Sequence, residues 1–139
     1  MERRLEHRFA DPSLFERALT HSSYANEHLP CLHNDGLAFV GDAALALVVA
    51  EYLLALDGDA PVGVLTPRRA ELVSGVNLAR WAEELELGAM LRLGRGEDAT
   101  GGRARESILA TALEAVLGAI YLEGGLPAVR RAVAALAAW

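Results

Sequence analysis

Apolar residues in this chain recur at helical spacing, and Pro, Gly and small polar residues mark the breaks between clusters. Leu14, Phe15, Ala18 and Leu19 form an apolar face just after Asp11-Pro12, a capping residue followed by proline at the first helical position. Residues 20–34 read as a polar loop containing Pro30. From about Asp35 to Leu56 the chain is apolar nearly all round, which predicts a helix at the centre of the domain. Asp57 to Val64 carries Gly58, Pro61 and Gly63 and reads as a connector. Thr66-Pro67 then repeats the cap-then-proline signal ahead of Arg68, Arg69 and Glu71. A helix from roughly Val76 to Glu86 places Leu78, Trp81, Ala82 and Leu85 on one side and ends at Gly88. Gly94 to Arg103 reads as a glycine-rich loop. Arg105 to Glu123 is a second strongly apolar helix, stopped by Gly124-Gly125, and Pro127 to Trp139 is a short last one. No segment alternates at period two and no repeat is visible, so the expected class is all-α, one domain over 1–139.

Composition narrows this further. At 139 residues, folding buries about two-thirds of the chain's surface, so the core needs neither disulfide nor metal. Hydrophobic residues at 53% and charged residues at 23% exclude a disordered or low-complexity chain. The balance of 13 basic to 19 acidic residues, net −6, argues against a nucleic-acid binder relying on a broadly basic surface. A local basic patch stays open. All 13 basic residues are Arg, which with the many Ala, Leu and Gly reads as coding bias rather than mechanism. Cys31 is the only cysteine, which excludes an internal disulfide and points to a reducing, cytoplasmic compartment. Next to Pro30 and Leu32 it reads as a loop or packing residue. The opening Met1-Glu2-Arg3-Arg4 leads into no apolar secretion-type stretch. The run from Gly36 to Leu56 is long enough to span a membrane. Asp42 and Glu51 within it, and a mean hydropathy of +0.21, favour a buried helix instead.

Two acids stand where a purely structural account struggles: Asp42 in the first apolar helix and Glu114 in the second. An ionised carboxylate in such surroundings is costly unless paired, hydrogen-bonded or bound to a cation. A salt bridge to an arginine, or a stripe facing solvent, explains either acid alone. Two of them on two core helices tilt the reading toward a shared cation site. Asp35 lies two turns before Asp42, within about 20° of the same helix face. Position 38 falls between them on that face, and position 111 lies one turn before Glu114. Further ligands belong there, yet the residues are Ala38 and Thr111. Elsewhere the signals are weaker. His21-Ser22-Ser23 fits no nucleophile spacing and reads as a polar turn, and the scattered histidines give no zinc pattern. The glycines of 94–102 follow no strand and precede no Gly-Lys-Ser/Thr, against a nucleotide loop. Arg92, Arg95, Arg103 and Arg105 concentrate positive charge there, either for phosphate contact or for pairing with Glu97, Asp98 and Glu106.

Taken together, the chain resembles the catalytic domain of the ribonuclease III family along nearly its whole length. Ala18-Leu19-Thr20-His21-Ser22-Ser23-Tyr24-Ala25-Asn26-Glu27 looks like that family's first motif. His33-Asn34-Asp35-Gly36-Leu37-Ala38-Phe39-Val40-Gly41-Asp42-Ala43 is similar to its signature helix, usually Asn-Glu-Arg-Leu-Glu-Phe-Leu-Gly-Asp. Leu65-Thr66 through Arg69-Ala70 to Leu72-Val73 resembles the next block. Leu91 to Glu97, Gly101-Gly102-Arg103 and Glu106-Ser107-Ile108-Leu109-Ala110 resemble the last. The resemblance implies an all-α endonuclease domain that works as a homodimer and cuts double-stranded RNA with Mg²⁺ or Mn²⁺. Its four metal-holding acids fall on Ala38, Asp42, Thr111 and Glu114, so two are kept and two are replaced. Asp35 matches an additional acid at the signature's start, and the acid expected near Val62-Gly63-Val64 is absent. Phe39 matches the aromatic that fits into the partner subunit. The separate double-stranded-RNA-binding domain of many members has no counterpart in 1–139.

In-line attack on a phosphodiester uses paired divalent ions about 4 Å apart. One or two carboxylates can hold one Mg²⁺; half the negative charge is a poor hold for two mutually repelling ions. The expectation is therefore an inactive or very weak dimeric protein that binds RNA or a ribosomal particle, with weak metal binding at Asp35, Asp42 and Glu114. The alternative is an active Mg²⁺-dependent endoribonuclease in which Asp35 and water replace the missing ligands. A third reading is pairing with an active paralogue.

Overall fold

The computed structural model describes all residues, 1–139, and is helical apart from loops and one isolated bridge between Thr20 and Arg92. Helix α1 spans Pro12–Ala18. Its Asp11 cap accepts from the Ser13 backbone N–H at 2.9 Å, as the Asp-Pro signal predicts. Helix α3, Asp35–Leu56, has the bounds read from its apolar run. Helix α5, Gly75–Glu84, is capped by Ser74 and buries Leu78, Ala79, Trp81 and Ala82. The last helix, α8, runs Glu106–Ala137 as two arms around Gly125, whose φ of 68° and ψ of −168° are outside helical space. That break falls at the Gly-Gly stop.

Four expectations need correction. The loop expected at 20–34 contains a short helix, α2 (Ser22–Glu27), because the His21 ring accepts from the Ser23 N–H and takes the capping role usually held by Ser or Asp. Helix α4 (Val62–Leu72) starts well before Thr66-Pro67: Pro61 is its cap, and Pro67 lies inside it. The helix expected from Val76 to Glu86, with its end at Gly88, stops at Glu84; Gly88 lies inside a separate single turn, α6 (Leu87–Met90), entered through a left-handed Glu86. The segment 94–103 is not an open loop. It holds α7 (Arg95–Ala99) and a 3-10 turn at Gly102–Ala104.

The centre of the molecule is also displaced from the expected place. Ala112, Leu113, Ala115, Val116, Leu117, Ala119 and Ile120 of α8 are fully buried, so α8 is the axis on which α3 and α5 pack. On α3, Leu37, Ala44, Leu45, Val48, Val49 and Leu53 face the core, while Phe39, Leu47 and Leu54 stay exposed. An apolar circumference predicts that a helix is covered all round. For α3, this chain covers only one side. Both helices are long and apolar enough to cross a membrane, and both are core helices here.

Candidate active site

The α3–α8 contact builds the site. Gly41 of α3 sits against the Glu114 backbone, and Gly118 of α8 sits against the Leu37 carbonyl, so the two helices run antiparallel at close range. This places Asp42 and Glu114, distant in sequence, within hydrogen-bonding reach of each other. Asp42 is exposed and Glu114 half-buried. Burial first, then the hydrogen bond and the like charge of Asp42, push the Glu114 carboxyl up from 4.5 to about 7. At neutral pH the Glu114 carboxyl is therefore only partly ionised. Two adjacent oxygen-donor carboxylates suit one hard divalent cation.

The surroundings limit that site. Ala38 is buried and Thr111 half-buried, and neither supplies a carboxylate. Asp35 shares the face of Asp42 but stands about 10 Å away along the axis, seven residues at 1.5 Å each. Its carboxylate lies 3.6 Å from His33 Nδ1 and is 65% exposed. No three of His, Cys, Asp and Glu gather anywhere in the chain. Asp35 is thus not brought to the pair as a third ligand: angular agreement on a helix ignores the rise. The donor set fits one ion and does not fit two.

The arginines expected at the phosphate backbone are mostly engaged internally. Arg103 donates to the carbonyls of Gly88 and Leu91 at 3.1 and 2.6 Å and to Asp98 at 2.9 Å. Arg105 pairs with Glu97 and donates to the Thr100 carbonyl. Arg92 lies 3.4 Å from Glu16 and stacks over Tyr24 at 5.0 Å. Arg95 is exposed and its side chain makes no ion pair. The backbone N–H of Arg95, at the start of α7, donates to the Glu27 carboxylate at 3.1 Å, so an internal acid already serves the start of this short helix.

His21 is a structural residue. Its Nδ1 sits 2.7 Å from Ser23 Oγ, which in turn accepts from the Gly94 N–H at 2.8 Å, tying α2 to the start of α7. Burial holds its pKa below the usual histidine value. Glu27 and Ser23 escaped the sequence reading because their partners lie 68 and 71 residues away. Glu123 escaped for the same reason. It accepts from the backbone N–H groups of Ala10 and Asp11 at 3.1 and 2.8 Å and bonds His7 Nε2 at 2.9 Å. Burial alone would raise its pKa, but these partners together hold it below the ordinary range. Cys31 is half-buried in the loop before α3.

A sequence model of the family described as Ribonuclease-III-like matches residues 11–137. The chain belongs to that family. It is 48% identical over 134 residues to Ribonuclease 3 of Caldanaerobacter subterraneus subsp. tengcongensis, covering 96% of this chain and 59% of that protein. It is 51% identical over 128 residues to Ribonuclease 3 of Oleidesulfovibrio alaskensis, covering 91% and 56%. The chain thus spans a little over half the length of these relatives. A crystal structure of the nuclease domain of Ribonuclease III from Campylobacter jejuni superposes with a TM-score of 0.88 at 38% identity, over 97% of this chain and 90% of that one. A second structure of the same domain, concerned with structural flexibility in a region involved in dimer formation, gives a TM-score of 0.89 at 38% identity, over 97% and 92%. The all-α ribonuclease III-type fold is thereby shown.

Proposed function

We propose that this chain is a ribonuclease III-type nuclease domain that engages double-stranded RNA as a cytoplasmic homodimer and cleaves it slowly with Mg²⁺ or Mn²⁺. The observation that carries this reading is the Asp42–Glu114 pair, two carboxyl groups from two core helices held within bonding reach. A divalent cation held there supplies activation of water and stabilisation of charge on the leaving oxygen. A cation held by Asp42 and Glu114 would require Glu114 to be deprotonated, so its occupancy would rise with pH through about 7. Asp42, exposed on α3 beside Glu114, is accessible to a phosphate of a bound RNA. Of Arg92, Arg95, Arg103 and Arg105, Arg95 is the one free to meet the RNA backbone, and Asp35 acts at most through water. The open apolar face of α3, with Phe39 82% exposed, is the surface a second copy covers.

Two observations set the expected rate. The relatives described above are named Ribonuclease 3, which favours cleavage. Ala38 and Thr111 leave the site without a second pair of acids, which favours a much slower reaction or none. The second reading, a domain that binds duplex or ribosomal RNA without turnover, rests on those same two residues. Purified protein incubated with a long RNA duplex and Mg²⁺ or Mn²⁺ tests both. Slow metal-dependent cutting that Asp42→Ala and Glu114→Ala each abolish is the expected result. Rates of about 1–10³ s⁻¹ overturn the impairment, and duplex binding without any cutting moves the assignment to the second reading.

A further inference from the structure

We propose that Gly118 is a positioning residue: its lack of a side chain lets α8 approach α3 closely enough for Asp42 and Glu114 to act on one cation. The inference rests on the reading of that pair as a cation site and extends it to a residue that touches neither carboxylate. Gly118 lies one helical turn after Glu114, on the same face of α8. A Cβ built on it collides with the Leu37 carbonyl, with the carbonyl carbon 2.9 Å away and the Gly41 backbone nitrogen at 3.1 Å. A Cβ on Gly41 meets the Glu114 carbonyl carbon at 2.7 Å and the Gly118 nitrogen at 2.8 Å. The crossing is therefore reciprocal, glycine against backbone in both directions.

Every atom a Cβ would strike is main chain, fixed by the hydrogen-bond ladder of its own helix. No rotamer change relieves the clash, so the helices must separate. Asp42 reaches out by a single methylene, and an O–H···O bond spans only about 2.5–3.0 Å. A separation of even about 1 Å exceeds that tolerance. Elsewhere α8 accepts methyl groups without difficulty: Ala112, Ala115 and Ala119 are all fully buried. Glycine is a poor helix former, and the close crossing accounts for its presence at 118 in place of alanine.

Mn²⁺ affinity of the full chain, read from the electron paramagnetic resonance signal of free Mn²⁺, tests this without relying on cleavage. Gly118→Ala is expected to bind roughly tenfold more weakly, the order of loss seen when support around a metal site is removed. Ile120→Val, a buried change away from the crossing, serves as the stability control and is expected to bind like the wild type. Gly118→Ala combined with Asp42→Glu is expected to regain affinity, because the longer side chain bridges the wider gap. A merely structural glycine would show no such rescue. Should Gly118→Ala fail to fold, Asp42→Glu alone reads the same spacing from an exposed position and is expected to weaken binding. Wild-type affinity in Gly118→Ala, or in Asp42→Glu where only that variant folds, overturns the inference alone. No Mn²⁺ binding by the wild type brings down the cation reading and the inference together.

Discussion

Glu114 shows how little of a residue's chemistry is fixed by its type. Folding raises its carboxyl from 4.5 to about 7, so the folded chain holds this proton more tightly than the unfolded one. The stabilisation that follows is fully present below about pH 4.5 and is lost as pH climbs through 7. In metal-free protein, the melting temperature of the wild type is expected to fall between pH 5 and 8 relative to that of Glu114→Gln. The difference between the two curves isolates this group from His21, whose lowered pKa works in the opposite direction. Parallel curves would show that Glu114 titrates normally. Glu123 is the contrasting case, an acid whose partners hold it ionised. Its three bonds fasten the first eleven residues onto α8. Glu123→Ala leaves two backbone N–H groups and His7 without their acceptor. Urea unfolding is expected to show a loss of about 2 kcal/mol with an unchanged m-value.

At the level of elements, the sequence was most readable where capping chemistry and apolar periodicity agreed. Asp11-Pro12, the bounds of α3 and the Gly124-Gly125 break all lie where the residues place them. It was least readable where a cap comes from an unusual residue or from far away. His21 starting α2 and Glu27 serving the N-terminus of α7 leave no local trace. The pairing of Asp42 with Glu114 was legible because both acids interrupt apolar helices. The detachment of Asp35 was not, because an angle on a helical wheel carries no distance. The kink offers a test at this scale. Gly125 occupies a conformation open essentially only to glycine, so Gly125→Ala is expected to cost about 2 kcal/mol. Gly96→Ala, with open space around its Cβ position inside α7, is expected to be neutral or slightly stabilising. Equal melting temperatures for the two variants would remove the argument from backbone strain.

Across the whole molecule, the exposed apolar side of α3 and the internal pairing of Arg92, Arg103 and Arg105 bear on any association the domain makes. Phe39 contributes almost nothing to the core of the single chain. If a second copy covers it, Phe39→Ala should leave monomer stability unchanged and weaken self-association by about 2 kcal/mol, roughly thirtyfold, in sedimentation equilibrium. Unaltered association would place the contact elsewhere. The cation site is expected to give little to stability. With Mg²⁺ near its own dissociation constant the gain is about 0.4 kcal/mol, a shift of only one or two degrees in thermal melting. A rise of ten degrees would reveal a much tighter site than two carboxylates supply.

The internal pairing of Arg92, Arg103 and Arg105 has a consequence for how the domain would grip a polyanion. Guanidinium groups already neutralised by Glu16, Asp98 and Glu97 displace few condensed counterions from nucleic acid. Each phosphate neutralised steepens the dependence of log K on log[salt] by about 0.9 for a B-form duplex. Of the four arginines around the glycine-rich segment only Arg95 is unpaired, so this group should add only about −1 per subunit to that slope. Arg95→Ala should therefore flatten the salt dependence by about one released counterion, while replacing Arg92, Arg103 or Arg105 leaves it nearly unchanged.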